Sequence, residues 1–122
     1  MIRGIGTDIV ETDRISRAIK KDYFLKRAFT DSEIAMAKER NTDTFLAGNF
    51  AVKEAFVKAL GLGFRGIGLK DLEVLRDKYG KPFIRICNPE NIHLMDINEK
   101  NIYVSISNTN SLVVAMVVIE VD

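Results

Sequence analysis

The segment spanning residues 45–60 constrains the fold most, because apolar residues occur on nearly every side of the helix that it would form. Its apolar positions are Phe45, Leu46, Ala47, Phe50, Ala51, Val52, Ala55, Phe56, Val57, Ala59 and Leu60. A helix that is hydrophobic all round has to lie in the interior of a protein. We therefore predict a long core helix that begins near residues 42–44 and ends at Leu60, with Gly61 in the left-handed position that terminates helices.

Four polar side chains interrupt this apolar segment, and they are the first candidates for function. They are Asn49, Lys53, Glu54 and Lys58. A charge on a buried helix is costly unless it is paired, hydrogen-bonded or bound to a metal. Glu54 and Lys58 stand four residues apart and so project from one face of the helix. In the simplest interpretation they form an exposed ion pair, which contributes about 0.2–0.5 kcal/mol.

A further carboxylate, Asp8, lies in the first predicted strand, residues 2–10, which is rich in β-branched residues and glycine. Under the alternation of a strand, Gly4, Gly6 and Asp8 share one face. An isolated aspartate at a strand end usually caps the next turn or helix. If the fold brings Asp8 to Glu54, however, two carboxylates from different elements make a site for Mg²⁺, which takes oxygen ligands and leaves positions for water and phosphate.

Two shorter helices are predicted before the core helix. Thr12 or Asp13 can cap a helix that runs to about Ile19. The Thr-Asp-Ser-Glu run at residues 30–33 has the spacing of a capping box and predicts the start of the next helix.

The second half of the chain contains strand-like segments. Residues 72–76 and 83–87 are joined by a Tyr-Gly-Lys-Pro turn at 79–82, which predicts one hairpin. Residues 102–107 alternate apolar and polar side chains and 112–121 are nearly all apolar, which predicts a second hairpin. Because strands and helices are segregated rather than alternating, the sequence predicts an α+β fold in which helices pack on an antiparallel-rich sheet.

Length and composition limit the classes of function. The 122 residues, 47% hydrophobic and 29% charged, suit a single domain over residues 1–122. A formal net charge of +1 gives no global field that would draw the protein to nucleic acid or to a membrane surface. The longest apolar run, residues 112–119, is shorter than the roughly 20 residues that cross a bilayer. Cys87 is the only cysteine and the N-terminus lacks a secretory signal pattern, so we expect a cytoplasmic protein.

Two motifs in combination point to a family. The runs Gly-Ile-Gly-Thr-Asp-Ile-Val-Glu at residues 4–11 and Phe-Ala-Val-Lys-Glu-Ala-Phe-Val-Lys-Ala-Leu-Gly at 50–61 resemble the signature motifs of the holo-(acyl-carrier-protein) synthases, small bacterial 4′-phosphopantetheinyl transferases. Residues 29–33, the Gly-Lys-Pro turn at 80–82 and the Ser-Ile-Ser-Asn-Thr run at 105–109 keep the family's order and approximate spacing. The resemblance covers nearly the whole chain and implies the 4′-phosphopantetheinyl transferase fold.

The resemblance implies that a serine hydroxyl of apo acyl carrier protein attacks the β-phosphate of coenzyme A and releases adenosine 3′,5′-bisphosphate. It makes Asp8, Glu54 and Lys58 the catalytic residues, with Asp8 and Glu54 as ligands of Mg²⁺ and Lys58 neutralising phosphate charge, as a phosphoryl-type transfer requires. Lys53 either contributes to coenzyme A binding or forms a structural ion pair. Glu54, or a metal-bound water that it orients, could accept the serine proton.

The resemblance also implies contacts with coenzyme A at the end of the core helix and in the turns of the two hairpins. The resemblance adds Gly61, Pro82, Asn108 and Thr109 to Lys53 and Lys58 as coenzyme-binding residues, while helix termination or ordinary turn chemistry is the alternative for the first four.

Two positions depart from the family's pattern. Asn108 stands where family members commonly carry histidine, and Asn49 stands where an arginine is often found. Asn108 can donate a hydrogen bond to phosphate but cannot titrate near neutral pH, so a histidine base at that position is excluded. The only histidine, His93, lies in a polar connecting stretch, and we predict that it is a surface residue.

The first predicted helix is amphipathic and basic, with Arg14, Arg17, Lys20 and Lys21. Such a face is usually only solvated, but acyl carrier proteins are strongly acidic, and the resemblance implies that Arg14 helps to bind them. It also implies a homotrimer with active sites at subunit interfaces, in which the last strands and the core helix bury further surface.

Two other interpretations stay open. In one, the chain is another Mg²⁺-dependent enzyme that acts on a nucleotide or phosphodiester and hydrolyses it without a carrier protein. In the other, the chain is a non-catalytic α+β interaction module that is indifferent to metal, with Glu54 and Lys58 as a structural pair and Asp8 as a cap.

Overall fold

The computed structural model describes residues 1–61, 63, 66–91 and 97–121, over which one strand is followed by four α-helices and then by two hairpins. The elements are β1 (Ile2–Glu11), α1 (Thr12–Ala18), α2 (Asp22–Ala28), α3 (Asp31–Lys38), α4 (Thr42–Leu60), β2 (Leu72–Arg76), β3 (Pro82–Ile86), β4 (Ile102–Asn108) and β5 (Leu112–Glu120), with 3₁₀ turns at Leu69–Asp71 and Glu99–Asn101. The predicted α+β class is confirmed.

Helix α4 has the predicted bounds, and local interactions set both of them. The side chain of Asn41 accepts a hydrogen bond of 3.3 Å from the backbone N–H of Thr44 and caps the N-terminus. Gly61 has φ 78°, and its N–H donates to the carbonyl of Lys58 at 3.1 Å. Although α4 is apolar almost all round, no helix among the described residues is long and apolar enough to cross a membrane.

The main sheet has the order β1-β5-β4, and both neighbours of β5 run antiparallel to it. Strands β2 and β3 pair separately as an antiparallel hairpin. On the inner face of β5 the side chains of Val113, Ala115, Val117 and Ile119 are completely buried. They lie in one continuous core cluster with the apolar residues of α4, and this packing seats the core helix on the sheet.

Two glycines let β1 lie directly on the backbone of α4. A Cβ added to Gly6 would collide with the carbonyl oxygen of Ala55, and one added to Gly4 would collide with the carbonyl oxygen of Ala59. The strand therefore touches the helix through main-chain atoms. Asp8, two residues beyond Gly6, faces the same side of the strand and is carried to the edge of α4.

The structure differs from the prediction at α1 and α2. Helix α1 begins at Thr12, but neither Thr12 nor Asp13 caps it, because the N-cap residue is Glu11 and no side-chain cap bond forms. The hydroxyl of Thr12 is buried and has no hydrogen-bond partner among the described residues. Helix α2 was not predicted. It too lacks a side-chain cap, and the aromatic contacts of Phe24 with its neighbours hold it in place.

The outer face of the main sheet carries exposed apolar side chains. They are Ile5 and Ile9 of β1, Tyr103 of β4, and Val114 and Met116 of β5, and the most exposed of them, Ile9, has 61% of its surface accessible. The apolar residues of α4, by contrast, are already buried within the chain. Any further burial between subunits therefore concerns the sheet rather than the core helix.

We predict that Gly6→Ala lowers the free energy of unfolding by about 2–3 kcal/mol. The added methyl group would clash with the carbonyl oxygen of Ala55, a backbone atom that cannot move away as a side chain can. Gly48→Ala is the matched control. Its added Cβ would meet its nearest neighbours, on Arg76 and Ile106, at an ordinary 3.7 Å, so stability should hold or rise by up to about 1 kcal/mol. Urea unfolding measures both, and equal stability of the two variants would contradict the close β1–α4 contact.

Candidate active site

Asp8 and Lys58 meet at the edge of β1. The ammonium of Lys58 lies 3.3 Å from Oδ1 of Asp8 and donates to the carbonyl of Thr7 at 3.0 Å. The side chain of Asp8 is 16% exposed whereas that of Lys58 is 56% exposed. Solvent screening makes this pair a weak contributor to stability. Lys58 is thus free to exchange its contact with Asp8 for an incoming anion.

Glu54, one turn before Lys58 on α4, completes the cluster. Partial burial raises the pKa of Glu54, and the nearby Asp8 carboxylate raises it further, while Lys58 and Arg14 act in the opposite direction. The structure therefore brings together Asp8, Glu54 and Lys58. The two carboxylates repel each other, and the positive charges of Lys58 and Arg14 act on Glu54 in the opposite direction.

The donor set of this cluster fits a hard divalent cation. Among the described residues, no group of three or more histidine, cysteine, aspartate or glutamate side chains could hold a metal. Mg²⁺ usually takes only one or two carboxylates and keeps positions for water and phosphate. A cation between Asp8 and Glu54 would also relieve the repulsion that raises the pKa of Glu54.

Open space borders both carboxylates. A cavity of about 240 Å³ is lined by Thr7, Asp8, Ile9, Lys58 and Val114. A second cavity of about 410 Å³ is lined by Arg27, Glu54, Ile67, Gly68, Leu69, Lys70 and Asp71. A substrate that reaches the carboxylate pair can therefore extend into the open space beside each carboxylate.

Lys53 belongs to the core rather than to this cluster. Its side chain is completely buried, and its ammonium donates to Glu33 at 2.7 Å and to the carbonyls of Ala28 and Leu69 at 2.8 Å each. Burial lowers the pKa of Lys53, and Glu33 opposes that effect. All three ammonium protons are engaged within the chain. Of the two roles that were open for Lys53, this geometry fits the structural ion pair and leaves no proton for coenzyme A.

The predicted coenzyme-binding residues separate in space. Pro82 and Asn108 line one cavity of about 220 Å³, together with Thr44, Phe45, Gly48, Arg76, Gly80, Ile106 and Val113. Thr109 closes the β4–β5 turn, where its hydroxyl accepts from the N–H of Leu112 at 3.1 Å, and Gly61 lies exposed at the end of α4. His93 lies outside the described residues.

Comparisons with known proteins agree with this geometry. The sequence profile of the 4′-phosphopantetheinyl transferase superfamily matches residues 4–117. The chain belongs to this superfamily. A holo-(acyl-carrier-protein) synthase of Clostridium botulinum (strain Eklund 17B / Type B) is 51% identical over 124 residues, covering 99% of each chain.

Solved structures of the superfamily share the fold over almost the full length. A holo-(acyl-carrier-protein) synthase from Bacillus anthracis str. Ames superposes with a TM-score of 0.83 at 35% identity, covering 100% of this chain and 99% of the other. The Neisseria meningitidis synthase gives a TM-score of 0.86 at 33% identity, with 98% and 99% covered. The predicted transferase fold is thereby confirmed.

Asn49, one of the polar residues of the core helix, has a structural role that the sequence did not reveal. Its amide nitrogen donates to Glu33 at 2.8 Å and to the carbonyl of Val74 at 2.9 Å, and its amide oxygen accepts from Arg76 at 3.0 Å. Glu33 was visible in the sequence only as the capping-box partner of Thr30, a bond that the structure confirms at 3.0 Å. Arg76 gave no sequence signal.

Proposed function

We propose that the chain transfers 4′-phosphopantetheine from coenzyme A to a serine of apo acyl carrier protein and releases adenosine 3′,5′-bisphosphate. The observation that carries the proposal is the convergence of Asp8, Glu54 and Lys58 at the β1–α4 contact in a chain of this superfamily. The Bacillus anthracis synthase, which is similar over its full length, was solved in complex with coenzyme A (3′,5′-ADP).

The roles of the three residues follow from their charges. Asp8 and Glu54 would hold Mg²⁺, which when bound neutralises negative charge on the diphosphate of coenzyme A. Lys58, largely exposed and loosely held, can place its ammonium against the same phosphates. Positioning and charge neutralisation are the main contributions that a protein makes to such a transfer.

The proton of the attacking serine needs an acceptor. The serine oxygen forms a bond to the β-phosphorus, the bond from that phosphorus to the bridging oxygen breaks, and the bridging oxygen leaves with adenosine 3′,5′-bisphosphate. Glu54 lines an open cavity beside the cluster, where a carboxylate can accept a proton directly or through one water. Glu54, or a water that it orients, takes the serine proton.

Mass spectrometry of an apo carrier protein incubated with the chain, coenzyme A and Mg²⁺ tests the reaction. The wild type should add one phosphopantetheinyl group, and Glu54→Gln should lower turnover about a hundredfold or more. The variant should fold normally, because burial disfavours the charge that glutamine removes. Glu39→Gln, at the exposed end of α3, is the control and should retain full activity.

Other results would favour other functions. Hydrolysis of coenzyme A without carrier protein would point to the alternative Mg²⁺-dependent enzyme that acts on a nucleotide or phosphodiester. Thermal melting gives an independent measure of the metal site, because Mg²⁺ should stabilise the wild type more than Glu54→Gln. Equal stabilisation of both, or of neither, would show that Glu54 is not a ligand.

The carrier protein is proposed to bind at α1. Arg14 is exposed on this helix, with its guanidinium carbon 5.9 Å from the ring centre of Phe50. It is also close enough to the active site to oppose the raised pKa of Glu54. A serine on an acidic protein held by Arg14 would therefore be brought to the carboxylate cluster.

Arg14→Glu should raise the KM for carrier protein about tenfold or more and leave kcat nearly unchanged, with a larger effect at low salt because rim charges act mainly on association. Lys100→Glu makes the same charge change at the Glu99–Asn101 turn and serves as control. Initial rates at two ionic strengths give the answer. A change confined to the KM for coenzyme A would contradict the docking role.

A homotrimer is proposed to assemble through the outer face of the main sheet. The cavity at Pro82 and Asn108 includes Val113, on the inner face, whereas the cavity at Asp8 and Lys58 includes Val114, on the outer face. Among the described residues the two cavities share no lining side chain. If a second copy covers the exposed apolar face, one coenzyme molecule can contact the Asp8 cavity of one copy and the Pro82 cavity of the other.

A cytoplasmic location stays a prediction.

We expect Met116→Glu to break the assembly into monomers and to lower activity with it, because three copies would bring added carboxylates into an apolar interface. Tyr79→Glu, at the exposed β2–β3 turn, places the same charge away from the sheet and should keep both mass and activity. Light scattering after size-exclusion chromatography reports the mass. A monomeric and active wild type would refute the trimer.

A further inference from the structure

Arg76, at the end of β2, is partly buried and is held by several contacts. Its Nη1 donates to the amide oxygen of Asn49 at 3.0 Å and makes a longer contact of 3.4 Å with the carbonyl of Leu75. Its guanidinium carbon lies 4.4 Å from the ring centre of Phe45, a cation–π distance. Hydrogen bonding and stacking together fix the plane of the guanidinium against α4.

The positive charge at this point is not neutralised locally. The guanidinium of Arg40 also lies over the ring of Phe45, at 5.6 Å. Within the described part of the chain, neither arginine has a carboxylate oxygen within 4.0 Å. Burial and the neighbouring Arg40 lower the pKa of Arg76 to about 10, against the weaker pull of Glu33. Arg76 therefore remains charged at neutral pH and would gain from an anionic partner.

Arg76 presents this charge to the 220 Å³ cavity that it lines with Pro82 and Asn108. No acidic residue belongs to the described lining of that cavity. A guanidinium recognises phosphate by two parallel N–H donors, and the amide of Asn108 can supply a further one. This combination suits a phosphate monoester.

We propose that Arg76 binds the 3′-phosphate of coenzyme A and thereby selects coenzyme A over its 3′-dephospho form. The inference rests on the proposed function, which assigns the diphosphate to Asp8, Glu54 and Lys58. The 3′-phosphate is the remaining anionic group of the coenzyme. Asn49 of α4 holds the guanidinium of Arg76 at 3.0 Å, so the positive charge at this cavity comes from β2.

The competing interpretation is that Arg76 only links β2 to α4 through Asn49 and Phe45. A purely structural arginine would affect every ligand of the protein alike. A phosphate-binding arginine would affect only ligands that carry the 3′-phosphate. The two interpretations therefore differ in ligand dependence rather than in the size of the effect.

Calorimetric titration with adenosine 3′,5′-bisphosphate and with adenosine 5′-phosphate, both with Mg²⁺, separates them. Arg76→Gln should weaken binding of the bisphosphate about tenfold to a hundredfold, the range of a lost charged hydrogen bond, and leave adenosine 5′-phosphate within about twofold. Arg76→Lys should fall between, because lysine keeps the charge but not the fork of donors. Lys78→Gln, an exposed charge in the same hairpin connection, should change neither affinity.

Transfer kinetics provide a second readout. Arg76→Gln should raise the KM for coenzyme A with little change in kcat, and kcat/KM for 3′-dephospho-coenzyme A should stay unchanged, so the preference between the two donors collapses. Equal losses for both donors and both nucleotides, or no loss for any, would overturn the proposal. If circular dichroism shows that Arg76→Gln does not fold, Arg76→Lys, which retains the charge, is used instead to compare ligands with and without the 3′-phosphate.

The two readouts also separate this proposal from the proposed function. A wild type that transfers nothing to the carrier protein would refute the transferase, yet the nucleotide titration would still test Arg76. A wild type that transfers the group but binds the two nucleotides equally would refute the role of Arg76 and leave the transferase standing.

Discussion

The main-chain contact between β1 and α4 is the constraint on which the active site depends. A side chain at Gly4 or Gly6 would meet a helix carbonyl, so only glycine lets the strand lie close enough. The strand also pairs with β5 along one edge, with Asp8 opposite Ala115. Hydrogen bonding along that edge and helix contact on the face of the strand fix the position of Asp8. The carboxylate pair is thus a consequence of two missing side chains.

The buried Lys53–Glu33 pair adds a rotational constraint to the same helix. An unpaired charge in the core would be strongly destabilising, so Lys53 has to keep its contacts with the end of α2, with α3 and with the turn before β2. Successive residues of an α-helix point about 100° apart. While Lys53 points into the core, its neighbour Glu54 points toward Asp8. The network that engages Lys53 in the core therefore orients the residue beside it.

Structural features that depend on a few neighbouring residues could be predicted from the sequence, whereas contacts between distant segments could not. The long helix, its glycine terminus and the capping box at Thr30 were predictable because each depends on neighbours along the chain. The pairing of Lys53 with Glu33, 20 residues away, was not, because packing decides which elements meet. Helix α2 was missed for the same reason, since its stability comes from aromatic contacts rather than from caps. The residues themselves raised Asp8 and Glu54 as a candidate pair, and the resemblance implied their role as ligands, but only the structure brings them together.

The distribution of charge explains how a chain of net charge +1 could bind a multiply charged anion. At Asp8 and Glu54 the two carboxylates oppose the nearby lysine, so an anion is repelled unless a cation intervenes. At Arg76 and Arg40 no described carboxylate lies within ion-pair distance, so an anion is attracted without help. The proposed functions of the two sites therefore differ in kind. Under these two proposals, recognition of the diphosphate would depend on Mg²⁺, whereas recognition of a phosphate monoester would depend on a fixed guanidinium alone.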